Sequence, residues 1–285
     1  MRRTRKPAQA GRFYPSNPRE LAQDVREYLR STRDTLSPSL KDVKPIALIC
    51  PHAGYIYSGR TAAHAYASAE GQRYARVLIA APSHHDFFPG ATIYDGDSYE
   101  TPLGAAMIDR AFCERLEQRS GLVQLSDSAD VTEHSLEVQV PFVQSLHNDE
   151  FTLAPMLVGK LSSEEAEELA RAIHDTMQEL DGENANDSTL LVASSDLYHG
   201  DDLDECRRQT EAFTRAVEAF NPDAFDDGIA GREFSACGSC PITLVMRLAR
   251  LMGAESGRVL NTSTSADVSP SHHGYVVGYA AAMFA

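Results

Sequence analysis

The chain has 285 residues, 42% of them hydrophobic, and carries 41 Asp and Glu against 26 Lys and Arg, a formal net charge of -15. That length can bury a large core, and the acidic surplus disfavours nucleic acid, whose phosphates it would repel, because no basic cluster follows the first six residues. No apolar run is long enough for a bilayer and none follows the basic start MRRTRK as a secretory signal requires; five cysteines in so long a chain suggest no disulfide framework, so a cytoplasmic location is expected. MRRTRK itself reads as a solvated, frayed end.

In chain order, SNPRELAQDVREYL starts a helix. Asn17 caps it, Pro18 suits a first turn where its missing N-H has no partner, Glu20 is placed to complete a capping box, and Leu21, Val25 and Leu29 mark one face. PIALI and RVLIA are short runs without polar alternation. YDGDSYETPLG holds an Asp95-Gly96 pair suited to a turn, which predicts some antiparallel strand. In EHSLEVQVPF the positions of Leu136, Val138 and Val140 fit strand and helix equally poorly, and the plainest reading is a solvated segment that packs these three residues. FTLAPMLV is another apolar run. LSSEEAEELARAIHDTMQEL repeats the helix logic, with Ser162 as cap, Glu165 three residues on, and Leu169, Ile173, Met177 and Leu180 at helical spacing. After TLLVA, a third helix is predicted from about Glu205, with Cys206, Phe213, Val217 and Phe220 on one face. Pro241 marks a further helix whose apolar face runs through Ile242, Val245, Leu248 and Leu251, and YVVGYAAAM ends the chain. Runs that are apolar throughout fit strands covered on both sides. The expected fold is α/β: a three-layer α/β/α single domain over residues 1–285 with a mostly parallel or mixed central sheet.

Three of these strands end alike. PIALIC leads to Pro51 and His52, RVLIAA to Pro82, Ser83, His84 and His85, and TLLVASS to Asp196 and, three residues later, His199. In open α/β sheets ligands bind beyond the carboxyl ends of strands, so one crevice could gather these groups. A histidine at a strand end can also do no more than satisfy loop carbonyls, but three repetitions weigh against that. SACGSCPITLVMRLARL supplies sulfur. Cys237 and Cys240 lie at or before a helix start, where free N-H groups and the dipole favour thiolate, the form that binds metal. Cys-x-x-Cys also fits a redox dithiol, ranked lower here because no aromatic residue flanks it and the helix is placed after the second cysteine. Cys50, Cys113 and Cys206 read as core.

Together AGRFYP, PHAGYIYSG, APSHH, EHSLEVQVPF, SSDLYHG and CGSCP, in that order and across nearly the whole chain, resemble the Memo family. The resemblance implies a fold like that of class III extradiol ring-cleaving dioxygenases, which are non-haem iron enzymes. It puts the family's metal ligands on His52, His84 and Cys237 and an additional pocket histidine on His199. Cys240 stands where the animal protein has histidine. The implied cofactor is a divalent or redox-active metal with iron ranked first; a thiolate in place of the usual carboxylate brings in copper or zinc.

Within that frame His199 is a candidate base for a phenolic or enolic proton, with Asp196 orienting it. Glu133, His134 and Glu137 are candidates to accept the second N-H of a ligand imidazole or to line the pocket, with His85 a weaker one. His64, His147, His174, His272 and His273 receive no ligand role. The function expected is a metal-dependent, dioxygenase-like oxidoreductase acting on an unidentified small molecule. The alternative is a non-catalytic protein that uses the pocket to bind a peptide, small ligand or metal. A serine hydrolase at Ser83, Ser194 or Ser195 is disfavoured for want of a G-x-S-x-G elbow, and nucleotide binding for want of a Gly-rich phosphate loop.

Overall fold

Backbone hydrogen bonding turns each uniformly apolar run into a strand whose two faces must both be covered, and the structure is built around that demand. It is a computed structural model that describes residues 3–37, 40, 43–147, 150–269 and 274–285. The first half contains β1 (Thr4–Arg5), α1 (Pro18–Arg33), β2 (Ala47–Cys50), α2 (Tyr55–Ser68), β3 (Arg76–Pro82), β4 (Ala91–Ile93), β5 (Ser98–Thr101), β6 (Gly104–Met107), α3 (Arg110–Arg119) and β7 (Val123–Leu125). After a 3-10 turn at Glu137–Gln139 come α4 (Val140–His147), β8 (Thr152–Val158), α5 (Ser163–Asp181), α6 (Ala185–Ser188), β9 (Thr189–Ser194) and β10 (His199–Gly200). The chain closes with α7 (Leu203–Ala219), α8 (Pro222–Ala230), α9 (Ser239–Leu251), β11 (Gly257–Thr264), α10 (Ser265–Val268) and β12 (Val276–Phe284).

The centre of the main sheet is the parallel run β2-β9-β3-β8. Antiparallel β4 and then β7 extend it on one side, and antiparallel β12, itself paired with β10 and β11, extends it on the other. Every residue of β2, β3 and β9 is buried, as a doubly covered sheet requires. Helices α1, α2 and α4 pack together, α3, α5, α8 and α9 form a second group, and α7 lies against β11 and β12. No described helix is long and apolar enough to cross a membrane.

Local signals explain most element starts. The Asn17 side chain accepts from the Arg19 and Glu20 amides, but Glu20 stays exposed and returns no bond, so the predicted capping box does not close there. Around Ser162 it does: the hydroxyl accepts from the Glu165 amide at 3.1 Å and the Glu165 carboxylate from the Ser162 amide at 2.7 Å. The third helix starts at Leu203, two residues before Glu205, because Asp202 caps it. The hairpin expected from YDGDSYETPLG is present as β5-β6, but its turn is Pro102-Leu103; Asp95-Gly96 connects β4 to β5 instead. EHSLEVQVPF packs its three apolar residues as expected, but the rest of the segment is buried too, His134 only in part, rather than solvated. It forms the 3-10 turn and opens α4, with Leu136, Val138 and Val140 buried.

The N-terminal segment also departs from expectation. Strand β1 pairs in parallel with β5 in a second, three-stranded sheet, and Arg5 is buried. Its guanidinium lies over the Tyr99 ring and donates to the Asp130 carbonyl at 2.7 Å, the Glu133 carbonyl at 2.7 Å and the Glu137 carboxylate at 2.5 Å. Glu137 also accepts from the Ala8 and Gln9 amides, each at 2.9 Å, and from the Tyr14 hydroxyl at 2.5 Å. These bonds offset the desolvation of a fully buried ion pair. Glu137→Ala would leave Arg5 charged and buried with carbonyl partners but without its carboxylate, so a loss of about 3–5 kcal/mol is expected in denaturant unfolding; a loss under about 1 kcal/mol, the size of an exposed pair, would contradict this account.

Candidate metal centre

Strands β2, β9 and β3 are neighbours, and their carboxyl ends reach one edge with Cys50 opposite Ser194 and Ala80 opposite Ala193. The residues that follow are therefore brought together whatever their separation in sequence. His52 follows β2 and its amide donates to the Asp196 carboxylate, beyond β9, at 2.8 Å. His84 follows β3.

Cys237 arrives from the turn before α9. That helix begins at Ser239, so Cys240 lies in its first turn and Pro241 follows, which moves the helix start ahead of the second cysteine. The Cys237 amide donates to the Asp196 carbonyl at 3.1 Å and the Asp196 amide to Cys237 Sγ at 3.2 Å. Gly238 permits this approach: a Cβ there would stand 2.3 Å from the Ser194 carbonyl oxygen and 2.7 Å from Ser195 Cβ.

One ligand atom from each of His52, His84 and Cys237 lies within 4.8 Å of the others, and Cys237 Sγ is 3.1 Å from His52 Nε2. A second such group joins His84, Glu133 and His134. The His134 ring stacks on His84 with centroids 4.6 Å apart and meets His52 edge-on at 5.4 Å. The sequence had placed His134 only in the pocket or around the ligands; here it completes a cluster of three imidazoles. Burial, then the charges of His134 and His84, hold His52 well below the ordinary imidazole range, so it is neutral at neutral pH. Burial and the nearby Asp196 carboxylate push the Cys237 thiol up to about 12, the reverse of the thiolate expected from the helix start alone. Burial also lifts Asp196 to about 6.

Glu133 behaves oppositely. Burial favours its neutral form, but donors from the His134 and His84 rings and from the His84 and Ser135 amides prevail and hold it well below the usual carboxylate range. Its carboxylate lies 2.6 Å from the His84 amide, 3.0 Å from His84 Nδ1 and 2.9 Å from each of the His134 and Ser135 amides. Glu137 instead faces Arg5 and the N-terminal segment. His199 is exposed and its Nδ1 lies 3.2 Å from the Tyr275 hydroxyl, so Tyr275, not Asp196, is its hydrogen-bond partner. No sequence pattern announced Tyr275.

His85 is exposed and makes no hydrogen bond with the described residues. His64 bonds to the Arg60 carbonyl and Thr35, away from the cluster, and His272 and His273 lie outside the described residues. Cys240 is absent from both metal-capable groups but shares with Cys237 the lining of a cleft of about 610 Å³. Pro82, Phe88, Val158 and Pro241 form apolar parts of its wall, Lys160 adds a cation, and Phe87, 97% exposed, stands at its margin. Ser194 and Ser195 are fully buried and donate to the Ser135 and Asp196 carbonyls, which leaves neither as an activated nucleophile.

Because its folded value is depressed, Glu133 contributes stability that is complete above the ordinary value of 4.5 and fades as the pH falls below it. The stability gap between the wild type and Glu133→Gln, measured by denaturant unfolding of metal-free protein from about pH 7 to about pH 3, is expected to narrow towards acid. A gap independent of pH would contradict the ionised, multiply bonded carboxylate.

A family model described as Memo-like protein matches residues 5–283. A MEMO1 family protein of Aeropyrum pernix is 35% identical over 285 residues, covering 97% of this chain and 98% of the relative. Others from Thermoplasma volcanium and Methanocaldococcus jannaschii are each 32% identical, covering 96% and 99% of this chain and the same shares of their own lengths. With the ordered motifs from AGRFYP to CGSCP standing in one fold, the chain belongs to the Memo family.

Proposed function

We propose that His52, His84 and Cys237 hold a divalent or redox-active metal ion and that the adjoining cleft presents a small, oxygen-rich molecule such as a phenol to it for oxygen-dependent chemistry. The observation that carries this reading is the convergence of two imidazole nitrogens and one sulfur within 4.8 Å. Metal-nitrogen bonds of about 2.0–2.1 Å and metal-sulfur bonds of about 2.3 Å are compatible with donors at such separations after small side-chain shifts. Two imidazoles and one sulfur suit iron, copper or zinc better than the hard, oxygen-seeking cations. Iron is ranked first on the resemblance to extradiol dioxygenases.

A bound ion would supply Lewis acidity towards a substrate oxygen and, if redox-active, electron transfer. The protein's own residues do the rest. Tyr275 engages His199 Nδ1, which leaves Nε2 to take a proton from a substrate hydroxyl; such help is worth roughly 10²- to 10⁴-fold. Asp196 holds the His52 amide, and with it the loop carrying that ligand, rather than orienting His199. Phe88, Pro82 and Val158 exclude water from one wall of the cleft, and Lys160 offers a partner for an anionic substituent. The exposed Phe87 favours a second reading, in which the cleft binds a peptide or small ligand without turnover.

His52→Ala and Cys237→Ser are each expected to weaken metal binding by more than the roughly 10–100-fold that loss of an orienting partner costs, while His174→Ala leaves it unchanged, in chelator-competition titrations. Equal retention in all three rejects the ligand assignment. Anaerobic loading with iron or copper followed by oxygen-uptake screening of phenolic compounds separates the two readings. Metal-loaded protein that consumes no oxygen with any of them, yet binds a partner tightly, favours the binding protein.

A further inference from the structure

We propose that one short segment, residues 133–139, fixes the tautomers of both candidate ligand imidazoles so that His52 and His84 turn bare Nε2 atoms towards the ion, with Ser194 and Gln139 as positioning residues for His52. The consequence for the metal rests on the metal-binding reading above; the tautomers themselves do not.

The argument for His52 is a count of hydrogens. Gln139 Nε2 lies 3.0 Å from the Pro51 carbonyl, a group that only accepts, and Gln139 Oε1 receives the Tyr66 hydroxyl at 2.9 Å. The amide therefore has one orientation, and its second N-H points at Ser194 Oγ, 2.8 Å away. Ser194 has one hydrogen, and the Ser135 carbonyl stands 2.6 Å away to accept it. With that hydrogen spent and one bond already accepted from Gln139, Ser194 Oγ can offer His52 Nδ1, at 2.9 Å, only a lone pair. Nδ1 must then carry the ring hydrogen, and Nε2, 3.1 Å from Cys237 Sγ, is left bare. The opposite tautomer would have Ser194 turn its hydrogen to Nδ1 and take the donor from the buried Ser135 carbonyl, which is unfavourable.

For His84 the count is shorter. Its Nδ1 lies 3.0 Å from Glu133 Oε1, an oxygen that already accepts the His134 and Ser135 amides at 2.9 Å each while its twin accepts the His84 amide, so Nδ1 carries the hydrogen and Nε2 is again free. Glu133, Ser135 and Gln139 thus act on two rings that arrive from different strands. Ser135 also fastens the segment to the end of β3 through its hydroxyl, 2.6 Å from the Pro82 carbonyl. A neutral ligand whose lone pair is already aimed needs no ring rotation or proton shift before it binds.

The test uses the full chain, metal-free and labelled with ¹⁵N-histidine, at about pH 8, above the ordinary imidazole range. Long-range proton-nitrogen correlation spectra are expected to show protonated Nδ1 and bare Nε2 for both His52 and His84. Ser194→Ala is expected to shift His52 towards the other tautomer and to weaken zinc binding roughly 10–100-fold, whereas Ser194→Thr, which keeps the hydroxyl, preserves the tautomer. A protonated Nε2 on either ring of the wild type, or an unchanged His52 tautomer in Ser194→Ala, overturns the proposal. Because the first readout needs no variant, a misfolded Ser194→Ala does not leave the question open. If wild-type protein shows both expected tautomers and takes up no zinc, iron or copper, the metal reading fails while the tautomer assignment stands.

Discussion

Parallel pairing of β2, β9 and β3 is the constraint on which the site depends. In a parallel ladder every strand runs the same way, so three carboxyl ends that lie far apart in sequence must emerge at one edge. With Cys50 opposite Ser194, the residues just beyond β2 and β9 meet at hydrogen-bonding distance, as the bond from the His52 amide to Asp196 shows. The turn carrying Cys237 can then close over the end of β9 only because Gly238 has no side chain to keep it off. A one-residue slip between β2 and β9 would reverse the facing of a whole strand and separate His52 from its partners.

Electrostatics at that edge divides the acids into two kinds. Glu133 sits among five donors, two imidazoles and three amides, and stays ionised despite burial, while Asp196, with fewer, is lifted towards neutrality. Burial raises both carboxyl groups, and at Glu133 the richer supply of hydrogen-bond donors outweighs it. Three imidazoles within a few ångströms would repel one another if all were protonated, and burial keeps His52 neutral. Burial thus holds His52 in its ligand-ready form, and the ionised Glu133 carboxylate lies where it receives, and so directs, an imidazole N-H.

Much of this was legible in the sequence. Apolar runs of uniform character revealed the parallel strands, and PHAG, APSHH and SSDLYHG gave away their ends, because a polar group straight after a buried strand has few other places to go. Capping residues were read correctly at Asn17 and Ser162, where a local bond decides. Long-range partners were not legible: Arg5 looked like part of a loose basic end because its acceptors lie more than a hundred residues away, and Asp196 looked like the partner of His199 because it is close in sequence. Ser194 carried one usable clue, its position at the end of a buried strand beside two histidine-bearing neighbours. Tyr275 carried none.

The tie between Arg5 and Glu137 spans 132 residues. While the chain is being synthesised, the stretch from Arg5 to Tyr14 leaves the ribosome long before the acceptors it needs, and a guanidinium cannot be enclosed in apolar surroundings alone. That stretch must stay hydrated until Glu137 has been made. The segment bearing Glu133 is thus held in place by a contact that closes a loop of 132 residues, and its shape carries the chain-entropy cost of that closure.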